Sequence, residues 1–383
     1  MLTDDLAHRG LLPLLTLEKG DSCTAEAWPR RRLELLERLQ AHCYGRTPPA
    51  PRRVEGAVVW RGEKAYAGKA VNERIEIAFD TPGGPFALPF HLVRPVGSAP
   101  PPVVLHLAFR PILRGLAEKA YPNLDDRYSP VEEILDRGFA AAIVCYQDIA
   151  PDTCDGDYSG HLAGLFRKPG PRGADEWGKI GLWAYGASRV MDYLQTRADL
   201  DRGCVSILGH SRLGKTALWC AAQDKRFFAA LSNCSGFGGA ALAKHGAGER
   251  VADFVRAGSW DWFCPAFAGR VGREDDLPYD QHFLVACLAP RFVNIASAAT
   301  DRGADPRSEF LAGVAAGEAY RLLGLNGLVT PDRYPQPGDV LPEGEIGYQL
   351  RPGDHFLSRW DWARHLEFIE AKRRASRARP ASG

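Results

Sequence analysis

Several short stretches of this chain are apolar almost without a break, and amphipathic stretches stand between them. "PPVVLHLAF" (101–109), "GFAAAIVCY" (138–146), "CVSILGH" (204–210), "FFAALSNC" (227–234) and "RFVNIASAATD" (291–301) are each long enough for one strand. A strand that is apolar at successive positions hides both faces, as central strands of parallel sheets do. The intervening stretches have helical spacing. "SPVEEILDRG" offers Ser129 as N-cap, Pro130 at the first helical position, Glu132 to complete a capping box and Gly138 as stop. "EWGKIGLWAYGASRVMDYLQT" places Trp177, Ile180, Trp183, Ala187, Val190, Met191 and Leu194 on one stripe, and "RLGKTALWCAAQ" and "SEFLAGVAAGEAYRLL" are further helices. Strands alternating with helices predict an α/β chain whose parallel sheet is covered on both faces.

The flanking segments fit this plan. "AWPRRRLELLERLQAHCYG" carries Leu33, Leu35, Leu36 and Leu39 at helical spacing and stops before Gly45. "RVEGAVVW", "RIEIAFD" and "LPFHLVRP" alternate only partly, which predicts an antiparallel edge at the N-terminal side of the sheet. Strand-like "EIGYQL" and helix-like "DWARHLEFIEAKR" close the chain. The expected organisation is an N-terminal helical segment (1–50) packing on the core, a single α/β domain (51–375) and a disordered basic tail (376–383), with Lys372 to Arg379 read as solvated.

Net charge is +1, so nothing draws the chain to nucleic acid or an anionic membrane surface. The nine cysteines are scattered without a C-x-x-C pair, which argues against a disulfide framework and against a zinc site; Cys145 and Cys204 sit in apolar runs as small buried hydrophobes. The N-terminal residues show no export pattern and no stretch is long enough to span a membrane, so a cytoplasmic location is expected as the sequence stands. The long loop after Tyr146 holds Asp152, Asp155 and Asp157, without the spacing of a calcium loop.

"LGHSRLGKTALW" (208–219) has two readings. Gly209, Gly214, Lys215 and Thr216 satisfy a phosphate-loop pattern; Gly209, Ser211 and Gly214 also match the strand-to-helix elbow that exposes a nucleophilic serine. Both need a strand, a turn and a helix. The phosphate reading wants a loop that wraps an anion, yet His210, Ser211, Arg212 and Leu213 give it no internal glycine, although Asp301 could serve as its magnesium ligand. The nucleophile reading demands a histidine further on, because a serine needs a base and the elbow fold places it last. His355 meets that demand in the turn "RPGDHFL" between the last strand and the last helix, whereas His365 reads as a surface or packing residue of that helix. Order and context favour esterase chemistry. Arg212 follows the nucleophile, so its N–H points at the developing oxyanion and its guanidinium adds positive charge there.

From about Pro101 onwards the chain resembles the glucuronoyl esterases, carbohydrate esterase family fifteen, and most closely their bacterial branch of 4-O-methyl-glucuronoyl methylesterase-like proteins. The resemblance is carried by "WGKIGLWAYGASRVMDYL", "GHSRLGKTALW", "SNCSGFGGAAL", "LPYDQHFLVACLAPR", "DRGADPRSEFL" and "IGYQLRPGDHFL". It implies an α/β-hydrolase three-layer sandwich with Ser211 as nucleophile, His355 as base, Arg212 at the oxyanion, and Lys215 and Glu249 on the sugar. Family members often carry Glu where Cys234 stands; others use an acid after the next strand, which matches Asp301, with Asp305 as runner-up. Many bacterial members also have Trp where this chain has Gly303, and "FRPILRG" puts bulk and charge near the nucleophile.

The expected function is therefore a serine carboxylic-ester hydrolase cleaving an ester of (4-O-methyl-)glucuronic acid. A carbohydrate acetyl esterase or general carboxylesterase is the alternative, and a catalytically degenerate carbohydrate-binding relative the remoter one. No cofactor or metal is expected. The partner is a small-molecule or oligosaccharide ester, with no nucleic acid, membrane or obligate protein implied, although the resembled family is usually exported.

Overall fold

Every residue of β4 (Val103–Ala108), β5 (Ala140–Cys145), β6 (Val205–His210), β7 (Ala229–Asn233) and β8 (Phe292–Ala298) is buried, as their unbroken apolar sequences require. The computed structural model describes residues 2–97, 99–109, 126–168 and 170–378. Residues 110–115 of "FRPILRG" and the last five of the basic tail lie outside them. A ten-stranded sheet has the order β1-β2-β3-β5-β4-β6-β7-β8-β10-β9. β5, β4, β6, β7, β8 and β10 (Ile346–Arg351) run parallel. β1 (Val54–Ala65), β2 (Ala70–Thr81) and β3 (Gly84–Pro95) form the antiparallel edge, and a two-residue β9 (Val340–Leu341) closes the other side.

Alternate side chains of a strand face opposite ways, and the core divides accordingly. Val103, Leu105 and Leu107 pack in one layer with helices Lys179–Leu194, Arg212–Gln223 and Pro306–Leu322. Val104 and Ala108 pack in the other with Val131–Asp136 and Arg359–Ala378. The result is the three-layer sandwich. Among the described residues no helix is long and apolar enough to cross a membrane.

Three local expectations change. The short helix begins at Val131 with Pro130 at the N-cap and no side-chain cap; the Ser129 hydroxyl instead meets His106 Nδ1 at 3.0 Å, so a tertiary partner displaces the capping box. In helix Trp28–Leu39, Leu35, Leu36 and Leu39 are buried but Leu33 is 63% exposed; Arg31 and Arg32 are buried instead, donating to carbonyls of Leu14 and Cys287. The basic run at the C-terminus is solvated at residues 374–378, but it is helical and partly paired rather than loose. Residues 376–378 are still helical, Lys372 donates to the carbonyls of Pro342 and Glu343, and Arg373 and Arg377 both pair with Asp201.

Candidate active site

β6 hands the chain to its helix through one residue. Ser211 has φ 58° and ψ −127°, a conformation that L side chains rarely adopt and that persists only where its surroundings impose it. The Ser211 N–H donates to Asn233 O on β7 (2.8 Å), and Ser211 O accepts from Gly214 and Lys215. A Cβ on Gly209 would stand 2.0 Å from Leu213 O, so that position admits only glycine. On Gly214 it would meet Ser235 Cβ at 3.0 Å and Asn233 O at 3.2 Å. The second glycine thus serves at 214, against the turn after β7, while Leu213 fills the core. A one-residue elbow leaves no loop to wrap a phosphate. Lys215 completes the case against it: its ammonium donates to Ser235 O (2.5 Å) and Phe237 O (2.7 Å) and reaches Glu249 Oε2 at 3.4 Å.

The parallel register brings His355 and Asp301 to the same end of the sheet. Arg351 of β10 lies opposite Ala298 of β8, so the segments that follow emerge side by side; Thr300 N–H donates to Gly353 O. His355 Nδ1 lies 2.6 Å from Asp301 Oδ2, and its ring centre lies 4.5 Å from that of His210, the residue before Ser211. Arg351, which sequence reasoning passed over, threads the turn by donating to the carbonyls of Pro352, Asp354 and Phe356 and to the Asp361 carboxylate. Burial pushes the Asp301 carboxyl up, but the hydrogen bond and charge of His355 outweigh it and hold the group below its ordinary value. Asp305 is spent elsewhere. It caps helix Pro306–Leu322, accepting from the Ser308 N–H and hydroxyl and from Ala247 N–H. His365 is fully buried, with neither ring nitrogen partnered among the described residues.

Cys234 follows β7 and stands against the same pair. Its Sγ, an Asp301 carboxylate oxygen and a His355 ring nitrogen lie within 4.8 Å of one another. Burial, reinforced by the neighbouring carboxylates of Glu309 and Asp301, pushes this thiol well above its ordinary value, so it carries no charge to orient a histidine.

Arg212 is clamped. Its guanidinium bonds Asp152 Oδ2 and lies 4.4 Å from the ring centre of Trp262, whose indole N–H donates to Asp152 Oδ1 at 2.8 Å. Beneath the clamp, Lys179 and Asp261 form a fully buried ion pair at 2.7 Å, and Lys179 also donates to Thr153. The salt-bridge partner therefore belongs to the acidic loop after β5. Its other acids make turns: Asp155 accepts from Asp157 N–H and Asp157 from Ser159 N–H.

On the remaining side, Glu249 is partly exposed and its N–H donates to Gly303 O. Among the described residues, a Cβ on Gly303 would find only Asp301 Oδ1 at 3.7 Å and Glu249 Cγ at 4.0 Å, which leaves room between Asp301 and Glu249. The turn that receives Lys215 is itself held by Glu309, which sequence reasoning missed. Fully buried, it accepts from Ser235 N–H and hydroxyl, Gly236 N–H and Ser297 hydroxyl. Burial raises its carboxyl to about 7 against those hydrogen bonds.

A serine strained at a strand-to-helix elbow, with a histidine that pairs with an acid from a neighbouring strand end and packs on the residue before the serine, is the arrangement of the serine hydrolases of the α/β-hydrolase fold. Comparison with known proteins narrows the class. Residues 146–324 match the family model of fungal glucuronyl esterases. A carbohydrate esterase from an unknown prokaryotic organism is 33% identical over 389 residues, covering 94% of this chain and 88% of its own length. The 4-O-methyl-glucuronoyl methylesterase of Schizophyllum commune is 28% identical, the match covering 70% of this chain and 62% of the fungal protein. The structure of a glucuronoyl esterase from Solibacter usitatus superposes with a TM-score of 0.84 at 33% identity, over 94% of this chain and 97% of that one. The chain belongs to the glucuronoyl esterases, carbohydrate esterase family 15, and is a carboxylic-ester hydrolase.

Proposed function

We propose that the chain cleaves the carboxylic ester of a glucuronic acid, including its 4-O-methyl form, through an acyl-enzyme on Ser211. The observation that carries this reading is the 2.6 Å contact between His355 and Asp301, made beside the residue that precedes the elbow. Asp301 holds the proton on Nδ1 and leaves Nε2 to take the proton of Ser211 as it attacks the ester carbonyl. The Arg212 N–H and its clamped guanidinium face the charge that develops on the carbonyl oxygen. The alcohol leaves with the proton from His355, and water repeats the sequence to release the acid. Glu249 accepts from sugar hydroxyls. A hydroxyl can also take over the 3.4 Å contact between Lys215 and Glu249, the longest of the three that the ammonium makes.

The space at Gly303 favours a second reading, a sugar pocket loose enough for a carbohydrate acetyl esterase. Turnover of benzyl glucuronate against an acetylated sugar separates the two. Faster cleavage of the uronate ester is expected; faster deacetylation transfers the reading to the acetyl esterase.

A further inference from the structure

We propose that Cys234, Asp301 and His355 form a binding site for one thiophilic divalent cation, with Zn²⁺ as the representative ion, and that the ion switches the esterase off. The residues supply one soft and two borderline or hard ligands from the ends of β7, β8 and β10. That origin is why no cysteine–histidine spacing announces the site in the sequence. Their ligand atoms already lie within 4.8 Å of one another. Tetrahedral zinc with bonds of about 2.0–2.3 Å needs ligand atoms roughly 3.3–3.6 Å apart. The 2.6 Å His355–Asp301 contact therefore opens by under about 1 Å while the sulfur, already within 4.8 Å of both, closes by at most roughly 1.5 Å, movements within the reach of side-chain rotation. Three protein ligands leave a fourth position open, on the side where His355 is 45% exposed and Cys234 and Asp301 are buried.

Charge and proton balance favour the complex. One dication against one thiolate and one carboxylate is neutral, which suits a pocket whose floor is buried. The thiol proton leaves to solvent. The Nδ1 proton of His355 is displaced by the metal and the ring keeps its neutral form with the proton on Nε2. An Nε2 that carries a proton cannot accept one from Ser211, so inhibition follows without any contact between metal and nucleophile. This consequence rests on the reading of His355 as base; the binding itself does not.

The test uses the whole purified chain, stripped with chelator and titrated with Co²⁺, which reports thiolate ligation by a sulfur-to-metal charge-transfer band. Wild type is expected to develop that band to one equivalent and to lose it to Zn²⁺. Cys234→Ala and Cys234→Ser are expected to lack it, and Cys154→Ala, which removes the half-exposed thiol beside Asp152, to retain it. In turnover assays, each normalised to its own metal-free rate, Zn²⁺ inhibits the wild type reversibly, and Cys234→Ala raises the inhibitory concentration on the order of tenfold or more. Absence of a Cys234-dependent band, or equal zinc sensitivity with and without the thiol, overturns the proposal. A Cys234-dependent band without loss of turnover keeps the ion site and instead refutes His355 as the base.

Discussion

On one flank of Ser211 stands His355, 45% exposed on a turn, with the carboxylate of Asp301 as its ion-pair partner. On the other, Arg212 is fixed by a carboxylate and an indole, and Lys215, 3% exposed, by two carbonyls and a carboxylate. On the proposed mechanism, the difference follows from what each flank does. A base gives and takes a proton in every half-reaction and keeps a changing hydrogen bond, whereas groups that meet developing charge work best when nothing has to reorganise. The ring of His355 is therefore aimed by one hydrogen bond, to Asp301, while the fixed flank is held by several polar contacts.

Ser211 belongs to both flanks, so its loss gives the largest expected effect. Ser211→Ala and His355→Ala each lower kcat by roughly 10⁵-fold or more, and the double variant falls little further because the groups act as a unit. Additive losses in a double-mutant cycle would break the assignment. Next comes the contact on which the loose flank hangs. Asp301→Asn lowers kcat roughly 10³- to 10⁴-fold with folding retained, by circular dichroism. Cys234→Glu in that background recovers part of the loss by offering a carboxylate from the end of β7. No recovery would show that reach from β8 is indispensable.

The fixed flank predicts smaller, distributed losses. Arg212→Ala lowers kcat about 100-fold with little change in KM, and Asp152→Asn costs less because the Trp262 ring still holds the guanidinium. Equal losses for the two would mean that the carboxylate alone makes the clamp. Last, His210 joins the flanks and is buried neutral; burial and the nearby His355 lower it to about 3. Burial likewise lowers His91 to about 3, His106 to about 4 and His365 to about 3. Unfolded histidine takes up its proton near pH ~6.5, above these folded values, so the unfolded chain binds more protons in between. The histidines' contribution is full above that pH and falls as pH drops through the window; Glu309, raised to about 7, opposes it with one proton against their four. The urea midpoint is expected to decrease steadily between pH 6.5 and 4, and a flat profile would contradict burial of the neutral rings.

Periodicity made the central strands legible, since burial on both faces writes itself as unbroken apolar sequence. The elbow was legible for a similar reason: Gly209 and Gly214 answer contacts inside one strand–turn–helix unit. What the sequence withheld depends on partners far along the chain. Asp152 lies 60 positions from Arg212 and 110 from Trp262, and no local pattern joins them. Ser129 had the chemistry of a cap and was taken by His106; Lys372, Arg373 and Arg377 had the composition of a tail and found Pro342, Glu343 and Asp201. A charge shows its surroundings only once the fold supplies them.

The ion pair beneath the clamp has a consequence over evolutionary time. Lys179 and Asp261 are wholly out of water, and removing one leaves the other's charge stranded, a loss of about 3–5 kcal/mol. Replacing both with apolar residues of similar volume is close to neutral. The two sites are therefore separated from any alternative by a fitness valley that single substitutions do not cross, and descendants of this chain are expected to inherit them together or to change them together.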